Sequence, residues 1–205
     1  IPIGEDGTIE YPVNAAPGPH TVEVTFNKEG YEPVTKTVTV IVPKAETTLT
    51  IATEDTPTYG DDVTVTATIT EGATGTITYY VDGSAVGTEL AIGQNFVISG
   101  LSAGEHNVTA KYAGDDLYGP TESNVLKFTV AKAELVITID SAQTYYPNTG
   151  TVEVSANNDG VYTINVNDKP YTVIIANGKG TFEVTEVLAV AEYPITWDIA
   201  ESENY

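Results

Sequence analysis

The chain has 205 residues, 41% of them hydrophobic, and its formal net charge at pH 7 is −21, because 29 acidic residues stand against eight basic ones, all lysine. The apolar content is enough for a folded core, whereas the absence of cysteine excludes a disulfide scaffold and a thiolate metal site. The negative charge excludes nucleic acid and anionic membrane surfaces as partners and attracts cations such as Ca²⁺.

No stretch of the sequence approaches 18 consecutive apolar residues, so we expect no transmembrane helix and no membrane insertion by this segment. The first residues read IPIGEDGT, which has neither an initiating methionine nor the pattern of a signal peptide. We therefore expect an internal segment of a longer protein.

Segments in which apolar residues alternate with threonine, glutamate or lysine follow one another along the chain. In chain order they read HTVEVTF, TKTVTVIV, TTLTIAT, DVTVTATIT, GTITYYV, NVLKFTV, LVITID, TVEVSA, VYTINVN and GTFEVTEV. A period of two with β-branched residues indicates half-buried strands. Turn-forming pairs such as Asp82-Gly83 and Asn177-Gly178 separate several of them, and no amphipathic helix of normal length is predicted. The predicted fold class is all-β.

The chain also repeats itself. VPKAETTLTI at 42–51 returns as VAKAELVITI at 130–139, and Tyr31, Tyr118 and Tyr205 fall at a constant spacing of about 87 residues. A fixed period indicates successive copies of one structural unit.

We expect 44–131 to be one complete unit, 1–43 to be the C-terminal half of an earlier unit, and 132–205 to be a unit that lacks its last strand. About seven short strands in each unit fit an antiparallel sandwich of the immunoglobulin type. The missing strand would leave an unpaired edge. We expect either that the parent chain continues past Tyr205 with such a strand or that a neighbouring molecule lends one.

The stretch LSAGEHNVTAKYAGDDLYGPTESN, at 101–124, resembles the late strands of bacterial Ig-like repeats in adhesin-like surface proteins of bacteria and methanogenic archaea. The resemblance implies tandem Ig-like sandwiches in an extracellular stalk at the cell surface, where they act as spacers and are not enzymes. The implied partners are neighbouring Ig-like units of the same chain or of a neighbouring subunit.

Two alternatives to a spacer stay open. The first is a module that binds a glycan or a protein at the host or cell surface; the divergent segment at 167–180 favours the third unit for that role. The second is a subunit of an extracellular filament that polymerises by strand donation.

Neither histidine is expected to be catalytic. His20 and His106 share one position of the repeat, where the third unit has Tyr193. Duplication by position favours packing over acid–base chemistry, and no nucleophile motif accompanies them.

Acidic pairs in two loops are candidate Ca²⁺ ligands: Asp61 and Asp62, and Asp115 and Asp116. The spaced aspartates of a calcium-binding loop are missing, so the alternative is that these residues cap turns. No other cofactor is expected. Asn107 begins a glycosylation sequon.

Two further hypotheses concern Lys127 with Asn124, and the aromatic side chains. An intramolecular Lys–Asn crosslink would require Lys127 to be buried beside Asn124. Aromatic residues could stack on a glycan, although strand alternation favours packing for most of them, Trp197 included. The aromatic candidates are Tyr79, Tyr80, Tyr145, Tyr146, Tyr162, Tyr171 and Trp197.

The core of the complete unit follows from the phase of each strand. The residues expected to point inward are Val63, Val65, Ile77, Tyr79, Val108, Ala110, Tyr112 and Phe128.

Overall fold

The computed structural model describes residues 14–86, 89–144, 150–185, 192–198 and 202–205. Throughout these ranges the regular secondary structure is β-strand, and the strand pairs with a defined residue register are antiparallel, while two isolated bridges, Ala45↔Tyr118 and Thr58↔Ala131, are parallel. The all-β prediction is therefore confirmed. None of the described residues forms a helix that is long and apolar enough to cross a membrane.

The described residues form two compact units, which are taken separately below. The first consists of the described parts of Ile1–Asp55, Val63–Ile98 and Glu105–Phe128, and the second of Thr56–Asp62, Ser99–Gly104 and the described parts of Thr129–Tyr205. The repeat boundaries expected at 43–44 and 131–132 stay a prediction.

The first unit begins with a long hairpin. β1 (Gly18–Phe26) pairs with β2 (Val34–Val42), from Gly18↔Val42 to Phe26↔Val34. Because side chains alternate between the two faces of a strand, most of the apolar side chains collect on one face of the hairpin. That face carries His20, Val22, Val24, Phe26, Val34, Lys36, Val38, Val40 and Val42. Residues 1–13 of the expected half-unit lie outside the described residues.

The rest of the first unit is a two-sheet sandwich. Its strands are β3 (Leu49–Ala52), β4 (Val63–Ile69), β5 (Thr76–Val81), β6 (Ser84–Ala85), β7 (Leu90–Ala91), β8 (Phe96–Ile98), β9 (Gly104–Tyr112), β10 (Thr121–Glu122) and β11 (Leu126–Val130). One sheet has the order β3-β4-β8. The other has the order β10-β9-β5-β6, with β11 also paired to β9 and β7 to β5.

The second unit repeats this arrangement. Its strands are β12 (Ile137–Thr144), β13 (Gly150–Ala156), β14 (Gly160–Val166), β15 (Lys169–Ile175), β16 (Lys179–Val184) and β17 (Ile195–Asp198). One sheet has the order β12-β13-β16 and the other β15-β14-β17. The positions of β12, β13 and β16 in their sheet match those of β3, β4 and β8.

The predicted core of the first sandwich is almost entirely correct. Of the eight residues expected to point inward, Phe128 alone is only partly buried, and the other seven are buried. The two sheets meet where the rings of Tyr79 and Phe96 stack with centroids 4.4 Å apart. Burial of such large apolar side chains is the main force that holds two sheets together.

The second unit has a core of the same kind, drawn from the inner faces of both sheets. The buried residues are Ile137, Val152, Val154, Ala156, Ile164, Val166, Val173, Ile175, Phe182 and Val184. The expectation that Trp197 belongs to the core is wrong in part, because its side chain is 39% exposed. Trp197 pairs with the fully buried Ile164 and so shares its face. Among the described residues no strand pairs with the other side of β17, and the ring is left partly uncovered.

Candidate functional site

Of the predicted Ca²⁺ ligands, Asp115 accepts the largest number of described hydrogen bonds, and the donors are groups of the protein itself. It lies in the loop after β9. One carboxylate oxygen accepts bonds from the N–H groups of Leu117 (2.8 Å) and Tyr118 (2.7 Å). The other accepts bonds from the N–H (2.8 Å) and hydroxyl (2.9 Å) of Thr74, in the turn between β4 and β5. Asp115 therefore ties two loops together.

These bonds determine the protonation state of Asp115. Burial acts to raise the pKa of its carboxyl, but the N–H groups of Thr74, Tyr118 and Leu117 outweigh burial and hold the pKa well below its ordinary value. The carboxylate is thus ionised at neutral pH, and fixed N–H dipoles of the backbone stabilise its charge.

The start of the repeat is bound to the same loop. The Lys44 ammonium group donates to the Asp115 carbonyl, and the Ala45 N–H donates to the Leu117 carbonyl at 2.8 Å. The Ala45 carbonyl accepts from the Gly119 N–H at 2.9 Å. We call these contacts of residues 44–45 with residues 115–119 the strap. The strap joins the first residues of the repeat to the loop between β9 and β10 of the same repeat.

The second unit has a strap of the same kind, 87 to 88 residues further along. Lys132 Nζ donates to the Ser202 carbonyl at 2.6 Å, and the Ala133 N–H donates to the Asn204 carbonyl at 2.9 Å. The Tyr205 N–H donates to Ser202 Oγ at 3.0 Å, as the Tyr118 N–H does to Asp115. Serine and aspartate side chains both accept hydrogen bonds from nearby backbone N–H groups. Ser202 can therefore make the same contact in the second unit that Asp115 makes in the first.

The other predicted calcium ligands have separate surroundings. Asp61 accepts a bond from the Thr58 N–H at 2.9 Å within its own turn, and Asp62 and Asp116 are exposed. Within the described part of the chain, no group of three or more histidine, aspartate and glutamate side chains is placed to hold a metal ion. The calcium hypothesis stays a prediction.

His106 occupies a structural environment that sequence reasoning identified only in part. It is buried, its Nδ1 lies 2.7 Å from an Asp82 carboxylate oxygen, and its ring lies 6.0 Å from that of Phe128. The other Asp82 oxygen accepts the Asn107 N–H at 2.9 Å. That bond and the His106 contact lower the pKa of Asp82. The sequence predicts a turn at Asp82, and its left-handed backbone (φ 49°) agrees with that. No sequence motif indicates its pairing with His106.

The remaining histidine and the predicted modification site are simpler. His20 Nε2 lies 2.6 Å from the Ala16 carbonyl. The Asn107 side chain is exposed on β9, and its glycosylation stays a prediction. The crosslink hypothesis does not fit the surroundings of either residue. Lys127 is exposed. The side-chain amide of Asn124 accepts a bond from the Ile51 N–H at 2.9 Å and donates one to the Ile51 carbonyl at 3.1 Å.

The aromatic candidates divide between core and surface. Tyr79 is buried, whereas Tyr80 lies on the outer face of its sheet and is partly exposed. Tyr145 and Tyr146 lie outside the described residues. A shallow groove of about 460 Å³ opens beside Tyr80. It is lined by Thr78, Tyr80, Lys111, Tyr112, Ala113, Pro120, Thr121 and Glu122.

Comparison with known proteins agrees with this architecture. Residues 49–131 match the model of a protein family described as the bacterial Ig-like domain (group 3). This part of the chain is similar to bacterial Ig-like domains. The resemblance seen at 101–124 is thereby confirmed. Domains with this fold are typically structural modules, and a function has to be argued from a site.

Two similar solved structures have low identity to this chain. One comes from the fibronectin(III)-like modules of Clostridium thermocellum CbhA, with 13% identity and a TM-score of 0.34, and covers 65% of this chain and 77% of that one. The other comes from a 1.5-MDa bacterial ice-binding adhesin studied for its retention at the host cell surface, with 15% identity and a TM-score of 0.31. That match covers 80% of this chain and 62% of the adhesin chain. No curated protein matches the chain.

Proposed function

We propose that the chain is a run of tandem Ig-like modules in the stalk of an adhesin-like protein at the cell surface, where it spaces a binding element and catalyses no reaction. The similarity of residues 49–131 to bacterial Ig-like domains supports this proposal, as does the repeat period of the sequence. A net charge of −21 would keep such a stalk soluble and its copies apart.

The observation that carries the proposal is the recurrence of the strap. Lys44 donates to a carbonyl of the loop after β9, and Lys132, 88 residues further along, donates to a carbonyl of the segment after β17. A linker that is held by such bonds is not a flexible coil. The chain then enters each module at a defined point, which is what a spacer requires of its joints.

Replacement of the module at constant length tests the spacer function. The chain would be displayed between a cell anchor and a reporter binding domain, and cell adhesion to the reporter's ligand would be measured. We expect adhesion to persist when residues 44–131 are exchanged for an unrelated Ig-like module, and to fall when they are deleted. Loss of adhesion on exchange at constant length would contradict a spacer function.

The groove beside Tyr80 favours a second candidate, a glycan-binding module. The Lys111 ammonium group lies 5.5 Å from the centroid of the Tyr80 ring and 2.7 Å from a carboxylate oxygen of Glu122. An aromatic face with polar groups beside it suits the C–H and hydroxyl groups of a sugar. Binding of the full chain to a panel of surface glycans, lost in Tyr80→Ala and retained in Thr66→Ala, would support this function.

A further inference from the structure

The turn between β15 and β16 holds the one Asn-Gly pair of the sequence. Asn177 and Gly178 both have left-handed backbones, with φ of 54° and 76°, as the central residues of a type I′ turn require. The Ala176 N–H donates to the Lys179 carbonyl at 2.9 Å, and the Lys179 N–H donates to the Ala176 carbonyl at 3.3 Å. Asn177 is exposed, so a reaction at its side-chain amide needs no opening of the core.

An asparagine that is followed by glycine can lose its side-chain amide without an enzyme. The Gly178 nitrogen loses its proton and bonds to Cγ of Asn177, while the bond from Cγ to the amide nitrogen breaks and that nitrogen takes up a proton and leaves as ammonia. Water then adds to one of the two carbonyl carbons of the cyclic imide and opens it to aspartate or isoaspartate. Glycine favours the attack because no Cβ hinders the close approach of its backbone. The reaction therefore requires only water and an accessible Gly178 nitrogen.

The Asp159 carboxylate engages that nitrogen. One of its oxygens accepts the Gly178 N–H at 2.8 Å, and the other accepts the Asn177 N–H at 2.9 Å. These two N–H groups lower the pKa of the Asp159 carboxyl, which is therefore ionised at neutral pH. Loss of the Gly178 proton would place an amide anion against this negative charge, and like charges at hydrogen-bond distance repel each other. Asp159 therefore disfavours the first step of the reaction.

The turn is also held in a shape that the reaction cannot use. The five-membered imide ring fixes the backbone of its asparagine in a conformation outside the left-handed region of a type I′ turn. The Gly178 carbonyl accepts the Ala156 N–H at 3.1 Å, so the peptide groups on both sides of Gly178 are bonded. Asn177 reaches the reactive conformation only when the turn opens locally and breaks these bonds.

We propose that Asn177 is a site of spontaneous deamidation and that Asp159 restrains the reaction by holding the N–H group of Gly178, the attacking nitrogen. The product weakens the turn in which it forms. Either product adds a second negative charge to the turn that Asp159 caps, and isoaspartate also adds a backbone atom to a two-residue turn, whose length decides which residues pair. Deamidation therefore separates Ala176 from Lys179 and destabilises the second unit.

Ageing of the full chain in mildly alkaline buffer tests the proposal, with conversion at Asn177 followed by peptide mapping and mass spectrometry. We expect the native chain to react more slowly than a synthetic peptide of residues 172–183, in which nothing holds the turn. Asp159→Ala should react about five- to tenfold faster than the native chain, because its turn opens more often without the two hydrogen bonds. Asp159→Ser should react at an intermediate rate, because a hydroxyl accepts a backbone N–H but carries no charge. Calorimetry of the aged native chain should show a lower Tm for the second unit.

Two control variants, checked for folding by circular dichroism, separate the contacts of Asp159 from general effects. Asp168→Asn removes a carboxylate from the exposed turn between β14 and β15, and Val152→Ala shortens a buried side chain of the second core. Both should deamidate at the native rate. The proposal is overturned if Asp159→Ala reacts no faster than the native chain, if Val152→Ala accelerates the reaction equally, or if the native chain reacts as fast as the peptide.

Discussion

The hydroxyl of Tyr79 is a destabilising feature that Tyr79→Phe should remove. The residue is 1% exposed, and among the described residues its Oη has no hydrogen-bond partner; burial also raises the pKa of this hydroxyl. An unpaired buried polar group costs about 1–3 kcal/mol. We therefore expect phenylalanine to stabilise the sandwich by about 1 kcal/mol or more, which raises Tm by about 4–8 °C per kcal/mol in a domain of this size.

Tyr112→Phe is the matched control, since it removes the same atom from the same core. The Tyr112 hydroxyl donates to the Thr74 carbonyl at 2.9 Å, so its loss should destabilise the sandwich by about 0.5–1.5 kcal/mol. Differential scanning calorimetry of the full chain would measure both variants. Equal decreases in Tm for Tyr79→Phe and Tyr112→Phe would show that the Tyr79 hydroxyl is bonded, and would refute the reasoning.

Three other substitutions test the site and the cores. The pKa of Asp115 is lowered in the fold, so its contribution to stability is present above the unfolded pKa of about 3.9 and is lost as the pH falls below that value. Asp115→Asn should therefore flatten the dependence of Tm on pH. The control Asp116→Asn should leave that dependence unchanged. A Cβ on Gly180 would lie less than 3 Å from two side chains and clash with a backbone carbonyl, so Gly180→Ala should destabilise the second unit by about 1–3 kcal/mol in urea titrations. Val65→Asp removes a fully buried side chain and buries a carboxyl group, so nuclear magnetic resonance should show the first sandwich unfolded, whereas Thr68→Asp on the exposed face should leave it folded.

The strands and their inner faces could be predicted from the sequence because alternation is a local signal. Val63, Val65 and Val108 each fall on the apolar phase of their strand and are buried. Trp197 shows the limit of that signal: the phase predicts the face on which a side chain lies, whereas burial depends on whether another strand lies beside it. Phe128, only partly buried, shows the same limit.

The candidate site was predictable in its members but not in its contacts. Asp115 stands out as one of a pair of acids in a turn. Its main donor, Thr74, is 41 residues away in sequence and has no distinguishing motif. Asp82, in the turn after β5, and His106, on β9, are likewise distant in sequence but paired in the fold. Pairings over such distances depend on the register of the sheet, which a single sequence does not reveal.

The different residues in the two cores affect how neighbouring repeats misfold. Repeats that unfold side by side in one chain are at high local concentration and can trade strands. Where the first unit sets Tyr79 opposite Ala110, the second sets Ile164 opposite Trp197. A β9 segment laid on β14 would leave a void between two smaller side chains, and β17 laid on β5 would crowd two large rings. We therefore expect each domain-swapped product to be less stable than the correct pairing, so that this difference in side-chain size disfavours strand exchange between adjacent modules.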